Sequence, residues 1–116
     1  LGADPVAYAV SYTSYLKGKP VETFVVRKSA KSHGTMQWIE GNVREGDRVV
    51  IVDDVITTGK STIEAITRAK EARLEIVKVI ALIDRQEGGR ENIEASGYKV
   101  ESLILRDEVM ALYRKA

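Results

Sequence analysis

Four apolar residues, Val49-Val50-Ile51-Val52, run straight into two carboxylates, Asp53 and Asp54, and then into Val55-Ile56-Thr57-Thr58-Gly59-Lys60-Ser61-Thr62. No other stretch limits the fold as tightly. An unbroken β-branched run predicts a strand over Arg48 to Val52, buried on both faces as in parallel sheets. Helical spacing follows from Ser61 to Ala72, with Ile63, Ile66 and Ala69 on one face and Glu64 and Arg68 at i,i+4 on another. A second apolar run, Ile76 to Ile83, comes next. Strand, helix, strand in this order predicts an α/β fold with βαβ units and a mostly parallel sheet. Ligands of such sheets bind beyond the carboxyl ends of the strands, which is where Asp53 and Asp54 stand.

The remaining chain fits that frame. Pro5 to Lys17 reads as a helix, with Asp4 as N-cap and Gly18 as its stop. Val21 to Arg27 reads as a strand, and Lys28 to Gly41 as a long basic loop with short strands at its stem. Arg90 to Ala95 reads as a short helix ended by Gly97, Tyr98 to Leu105 as a strand, and Asp107 as the cap of a last helix reaching about Arg114. No repeat or Pro/Ser-rich linker marks a boundary, so residues 1–116 are expected to form a single domain.

Composition removes several classes of function. Eighteen basic against 17 acidic residues leave a net charge of +1, so no basic field draws nucleic acid or an anionic membrane. The absence of cysteine excludes disulfides, thiolate zinc sites and cysteine nucleophiles, and suits a reducing, cytoplasmic setting. No apolar run approaches the ~20 residues of a membrane span. The chain opens on Leu1 and not on methionine, so it is expected to be a fragment or a processed or trimmed product.

The segment after the acidic pair carries chemistry. Thr57, Thr58, Ser61 and Thr62 offer hydroxyls, and Gly59 admits close backbone approach. The amides of Gly59 to Ser61 fall at a helix N-terminus, where free N–H groups favour a phosphate. Asp53 and Asp54 can accept hydrogen bonds from sugar hydroxyls or help to hold Mg²⁺. Gly59-Lys60-Ser61 imitates the end of a nucleotide-binding P-loop, but Asp54 stands where the first glycine of that motif belongs, and a carboxylate there repels a triphosphate. Taken alone, either short piece suits a capped β-to-α turn. The whole string in its strand–loop–helix context points to a ligand.

VVIVDDVITTGKS resembles the phosphoribosyl-pyrophosphate (PRPP) signature of type I phosphoribosyltransferases. The resemblance implies that Asp53 and Asp54 contact the ribose 2- and 3-hydroxyls. It also implies that Thr57, Thr58, Gly59, Lys60 and Ser61 cradle the 5-phosphate, with Val55 and Ile56 in the same PRPP-binding segment.

Two further segments sharpen it. Arg27-Lys28-x-x-Lys31-x-His33-Gly34 packs three cations and the only histidine into a short stretch. Such a run can be a solvated charged loop. It can also stabilise a leaving pyrophosphate, whose charge grows as its bond to carbon breaks. The spacing resembles the flexible catalytic loop of orotate phosphoribosyltransferases, which implies that Arg27, Lys28, Lys31 and His33 act on PRPP and pyrophosphate. It also implies a homodimer, since in that family the loop tip serves the neighbouring subunit. TMQWIEG resembles the loop's return stem, with Trp38 as stem packing or a functional stack. Asp84-Arg85-Gln86-Glu87-Gly88-Gly89 follows the second buried run, and its strand end is expected beside that of Asp53/Asp54. Chemistry alone leaves Arg85 either in a local ion pair or on a flat carboxylate-bearing base. The segment resembles one in orotate phosphoribosyltransferases and implies that Arg85, with Thr57, contacts orotate.

The implied fold is a type I phosphoribosyltransferase core lacking the family's N-terminal hood and first core strand. The opening Leu1-Gly2-Ala3-Asp4-Pro5 resembles the family's pyrophosphate loop, with Gly2 where many relatives carry lysine. The implied reaction is orotate plus PRPP giving orotidine 5-phosphate and pyrophosphate, in pyrimidine biosynthesis. Mg²⁺ is expected to be held mainly through PRPP, with no residue assigned as a direct metal ligand. Three alternatives stay open: a PRPP- or nucleotide-binding relative without turnover, a non-enzymatic remnant whose exposed sheet edge drives association, and a phosphoribosyltransferase for another base.

Overall fold

A computed structural model describes residues 3–33 and 37–115. The elements run α1 (Ala3–Leu16), β1 (Phe24–Val26), β2 (Ile39–Gly41), β3 (Arg48–Ile56), α2 (Lys60–Glu71), β4 (Glu75–Asp84), α3 (Gly89–Glu94), β5 (Val100–Leu105) and α4 (Arg106–Lys115). Strands β3, β4 and β5 form a parallel sheet in that order, and β1 and β2 form a separate antiparallel ribbon. The expected α/β architecture with a parallel sheet is therefore present.

The apolar runs form the sheet for a simple reason. Val49, Ile51 and Ile56 of β3, Val79 and Ala81 of β4 and Val100 of β5 are buried against Ile66 and Ala69 of α2 and Ile93 of α3. Full burial of each large aliphatic side chain contributes about 1.5–3 kcal/mol. The buried face of α2 is Thr62, Ile66 and Ala69, a spacing of i, i+4, i+7. Ile63, expected on that face, lies at its margin and is half-buried.

Several expectations are corrected. Burial on both faces does not hold, because Val50, Val77 and Leu82 remain 38%, 41% and 37% exposed. Helices α2 and α3 contribute buried residues to the core, whereas α1 contributes none. The strand does not stop before the acidic pair. Its ladder to β4 continues through Asp53↔Ala81 and Ile56↔Asp84, so both aspartates lie within β3. The strand expected over Val21 to Arg27 is only three residues long and pairs with β2, outside the parallel sheet. Asp4 and Asp107 lie in the first turns of their helices and do not cap them. The α4 entry is instead tied by Glu108, which accepts from the Leu105 N–H at 3.2 Å. No Glu64–Arg68 pair forms among the ion pairs of the described residues, and Arg68 binds Glu71 instead, at 3.1 Å.

Candidate active site

Asp53 and Asp54 occupy consecutive positions near the carboxyl end of β3. Asp53 faces α2, where its Oδ2 accepts a 2.7 Å hydrogen bond from Thr62 Oγ1. Its Oδ1 accepts from the Asp54 N–H at 2.8 Å, and Asp54 Oδ1 accepts from the Val55 N–H at 2.8 Å. Burial pushes the Asp53 carboxyl above its ordinary value, partly offset by the Thr62 hydroxyl. Asp54 moves the other way, held below its ordinary value chiefly by a hydrogen bond from the Asp53 carboxyl and then by backbone N–H groups. The pair is thus divided by environment: Asp53 is the more reluctant charge and Asp54 the readier one. Thr62, read from sequence as a ligand donor, is 2% exposed and gives its hydroxyl to Asp53. Its place at the head of the Thr62–Ile66–Ala69 stripe is the sequence signal for that inward direction.

Beyond β3, Thr57 to Thr62 wrap a hollow of about 320 Å³. Gly59 caps α2 with φ +86°, and no side chain bonds to the helix end. The first helical bond runs from the Ile63 N–H to the Gly59 carbonyl, which leaves the preceding amides without helical partners. An uncapped helix N-terminus of this kind attracts an anion.

A larger cleft of about 1410 Å³ lies between α1, the β1–β2 ribbon, the outer edge of β3 and α2. Asp53, Asp54, Ser61, Arg27 and Lys28 all line it. The acidic pair and the first two cations of the basic loop therefore share one cavity. Lys31 and His33 do not line it. Arg27 is engaged locally, with Nη1 on Glu40 and Nε on the Ser29 carbonyl at 3.0 Å. The loop stem is ordered by Arg27 N–H to Trp38 carbonyl and Lys31 N–H to Gln37 carbonyl bonds, at 2.7 and 2.6 Å. Trp38 packs at the stem, where the Arg68 guanidinium stacks 3.6 Å from its ring centroid. Gly34, Thr35 and Met36 of the loop, and Gly2 of the opening segment, lie outside the described residues.

The Asp84–Gly89 turn is built by residues that sequence reasoning passed over. Asp84 is 3% exposed, and its Oδ1 accepts from the Gln86 N–H at 2.8 Å, holding Gln86 at φ +58°. Gln86 Oε1 then accepts from the Asp107 N–H on α4 at 2.9 Å. Arg85 emerges on the exposed side, with Nε 2.9 Å from Glu87, and it lines neither the cleft nor the hollow. Its N–H does reach β3, at the Ile56 carbonyl. Gly89 presses directly on the Thr57–Gly59 turn. Asn92 donates to the Thr58 carbonyl at 2.9 Å. Neither contact can be found without knowing that α3 folds back on the β3–α2 turn.

A strand carrying two adjacent carboxylates, an uncapped helix start and cations lining a shared cleft make an arrangement chemically able to take a phosphorylated sugar. The chain is similar to known proteins over most of its length. The orotate phosphoribosyltransferase of Aquifex aeolicus is 46% identical over 110 residues, covering 95% of this chain and 60% of that protein. The crystal structure of Mycobacterium tuberculosis orotate phosphoribosyltransferase with Fe(III) dicitrate superposes with a TM-score of 0.86 at 42% identity, over 93% of this chain and 60% of that one. The same enzyme in complex with PRPP gives a TM-score of 0.81 at 39% identity, with 93% and 60% covered. The chain thus spans about 60% of the length of these relatives. Residues 3–111 match the phosphoribosyl transferase domain, which takes in every described element but the last turn of α4, and the chain belongs to that family.

Proposed function

We propose that this chain carries the transfer chemistry of an orotate phosphoribosyltransferase. It would move the 5-phosphoribosyl group from PRPP to orotate, giving orotidine 5-phosphate and pyrophosphate. The observation that carries the reading is the common cleft of Asp53, Asp54 and Lys28 beside the uncapped start of α2. The identity to enzymes named for orotate supports the choice of base.

Each residue takes a role in this proposal, and that of Arg85 rests on the family resemblance, since it lines neither cavity. The amides and hydroxyls from Thr57 to Ser61 hold the 5-phosphate and so fix the sugar. Asp53 and Asp54 accept from the ribose 2- and 3-hydroxyls. At the anomeric carbon the bond to pyrophosphate oxygen breaks as the bond to the base nitrogen forms, with positive charge on the sugar. Negative charge collects on the pyrophosphate, where Lys28 is positioned to stabilise it more strongly in the transition state than before it. Arg27 joins once it leaves Glu40. Arg85, with Thr57, is assigned to orotate. Lys31 and His33 do not line their own cleft, which supports assigning them to the cleft of a second copy in a homodimer.

Mg²⁺ fits this donor set only in partnership. Among the described residues no cluster of three or more acidic or histidine side chains forms a cage, and a hard cation of this kind takes about six oxygens. Asp53 and Asp54 would hold it indirectly, with the phosphate oxygens of PRPP as its main ligands. Its chemistry there is to neutralise developing negative charge. No helix among the described residues is long and apolar enough to cross a membrane, and the absence of cysteine supports a reducing, cytoplasmic setting.

The test is calorimetric. Titration with PRPP and Mg²⁺ should show binding, and orotate added next should give turnover heat. Asp53→Asn with Asp54→Asn should abolish PRPP binding with the fold intact, and unchanged affinity would sink the assignment. PRPP binding without any response to orotate would favour the non-catalytic reading instead.

A further inference from the structure

Helix α3 is joined to the phosphate cradle by one side-chain hydrogen bond. Asn92 Nδ2 donates to the Thr58 carbonyl at 2.9 Å, across 34 residues of chain. Asn92 is itself seated in the first turn of α3, where its N–H bonds to the Gly88 carbonyl at 3.0 Å. The consequence lies in the geometry of one peptide. The Thr58–Gly59 unit is planar and trans, so its N–H points opposite to its carbonyl. With the carbonyl drawn toward Asn92, the Gly59 N–H points the opposite way, and Gly59 lines the hollow.

That orientation is not secured by the chain itself. Gly59 sits at φ +86° and can take either sign of φ at little cost. The Gly59 torsion therefore permits a half-turn of the Thr58–Gly59 peptide, with the packing of Gly89 on the turn as its remaining restraint. It would aim a carbonyl oxygen, with its partial negative charge, at the place where an anion binds. No side chain caps α2 to prevent it. Among the described residues, Asn92 is the side chain that bonds this peptide.

We propose that Asn92 is a positioning residue of the phosphate cradle, holding the Thr58–Gly59 peptide with its N–H directed at the bound 5-phosphate. The proposal rests on the reading of that cradle as the 5-phosphate site. Asn92 touches no substrate. It acts through the peptide it holds.

The experiment uses the whole chain, with ribose 5-phosphate and pyrophosphate as separate probes. Affinities are read by calorimetry and the Gly59 amide by ¹H–¹⁵N spectroscopy. Asn92→Ala and Asn92→Leu remove the donor at an exposed helix position, where both residues are better helix formers than asparagine, so the fold should survive. Ribose 5-phosphate affinity should fall about three- to tenfold, the worth of one partly exposed hydrogen bond. The shift of the Gly59 amide on ligand addition should shrink with it. Pyrophosphate affinity should not change, and Asn92→Gln should recover most of the loss. If the wild-type Gly59 amide ignores ribose 5-phosphate, the cradle reading fails and this inference with it. If the wild type responds and Asn92→Ala keeps both the shift and the affinity, this inference alone is overturned. Equal loss of both probes also overturns it, because that pattern means general loosening of the fold.

Discussion

Gly89→Ala should damage this protein more than its position in a short, half-exposed helix suggests. A β-carbon built on Gly89 falls 2.4 Å from Ile56 Cγ2, 2.5 Å from the Thr57 carbonyl oxygen and 3.0 Å from the Gly59 nitrogen. Two of these are backbone atoms of the Thr57–Gly59 turn. The third belongs to a side chain only 1% exposed, with no space to swing into. Relief therefore requires α3 to lift or the Thr57–Gly59 turn to move. Overpacking costs about 1–3 kcal/mol, and a contact made mainly to backbone belongs at the upper end. For a domain of this size that is a melting-temperature drop of roughly 8–12 °C. Gly88→Ala is the informative comparison. Nothing lies within 4 Å of its β-carbon, but its φ is +91°. Its cost is conformational, about 1–2 kcal/mol, and Gly88→Asn should recover part of it because asparagine tolerates that region. The two adjacent glycines thus separate in kind. Thermal unfolding by circular dichroism, with ribose 5-phosphate titration, reads both. Gly89→Ala should lose stability and phosphate affinity together, whereas Gly88→Ala should lose mainly stability. A Gly89→Ala protein melting within about 2 °C of wild type, with unchanged affinity, would refute the packing of α3 on the turn.

Three other outcomes follow from the site. Glu40→Gln frees Arg27 at a cost of no more than about 1 kcal/mol, since the pair is partly exposed, and pyrophosphate affinity should rise; a fall would show that Glu40 positions Arg27 and does not compete for it. Arg68→Ala removes the stack on Trp38, so the Arg27 and Lys31 amides of the loop stem should exchange with deuterium faster, and unchanged exchange would show that the stem is held elsewhere. Burial raises the folded pKa of Asp53 above 3.8, so its contribution favours folding below that pH and is lost as pH rises through the raised value. Asp53→Asn should therefore be more stable than wild type in thermal melts at pH 7, with the advantage fading toward pH 3, and a variant less stable at pH 7 would contradict the burial argument.

The sequence was most legible where structure is local and least where it depends on what folds back. Val49 to Thr62 holds a strand, a turn and a helix start within fourteen consecutive residues, so their order and the place of the acidic pair could be read directly. Thr62 was misread because helix phase, and not residue type, decides where a hydroxyl points. Counted from Ile66 and Ala69, Thr62 falls on the buried stripe, and its hydroxyl meets Asp53 there. Arg27 and Glu40 meet because the ribbon register pairs Val26 with Ile39 and brings the stem together. The Asp84–Gly89 turn shows the same limit most clearly. An exposed guanidinium has obvious chemistry, yet the side chain of Arg85 has only a local partner, Glu87. Asp84, Gln86 and Gly89 do the connecting, to the turn itself, to α4 and to the Thr57–Gly59 turn. A segment expected to read the base is thus also built as a brace for the turn proposed to hold the phosphate. Any movement of the turn that brings Arg85 toward a base must carry Gly89 with it, and so must be felt at Thr57 and Gly59.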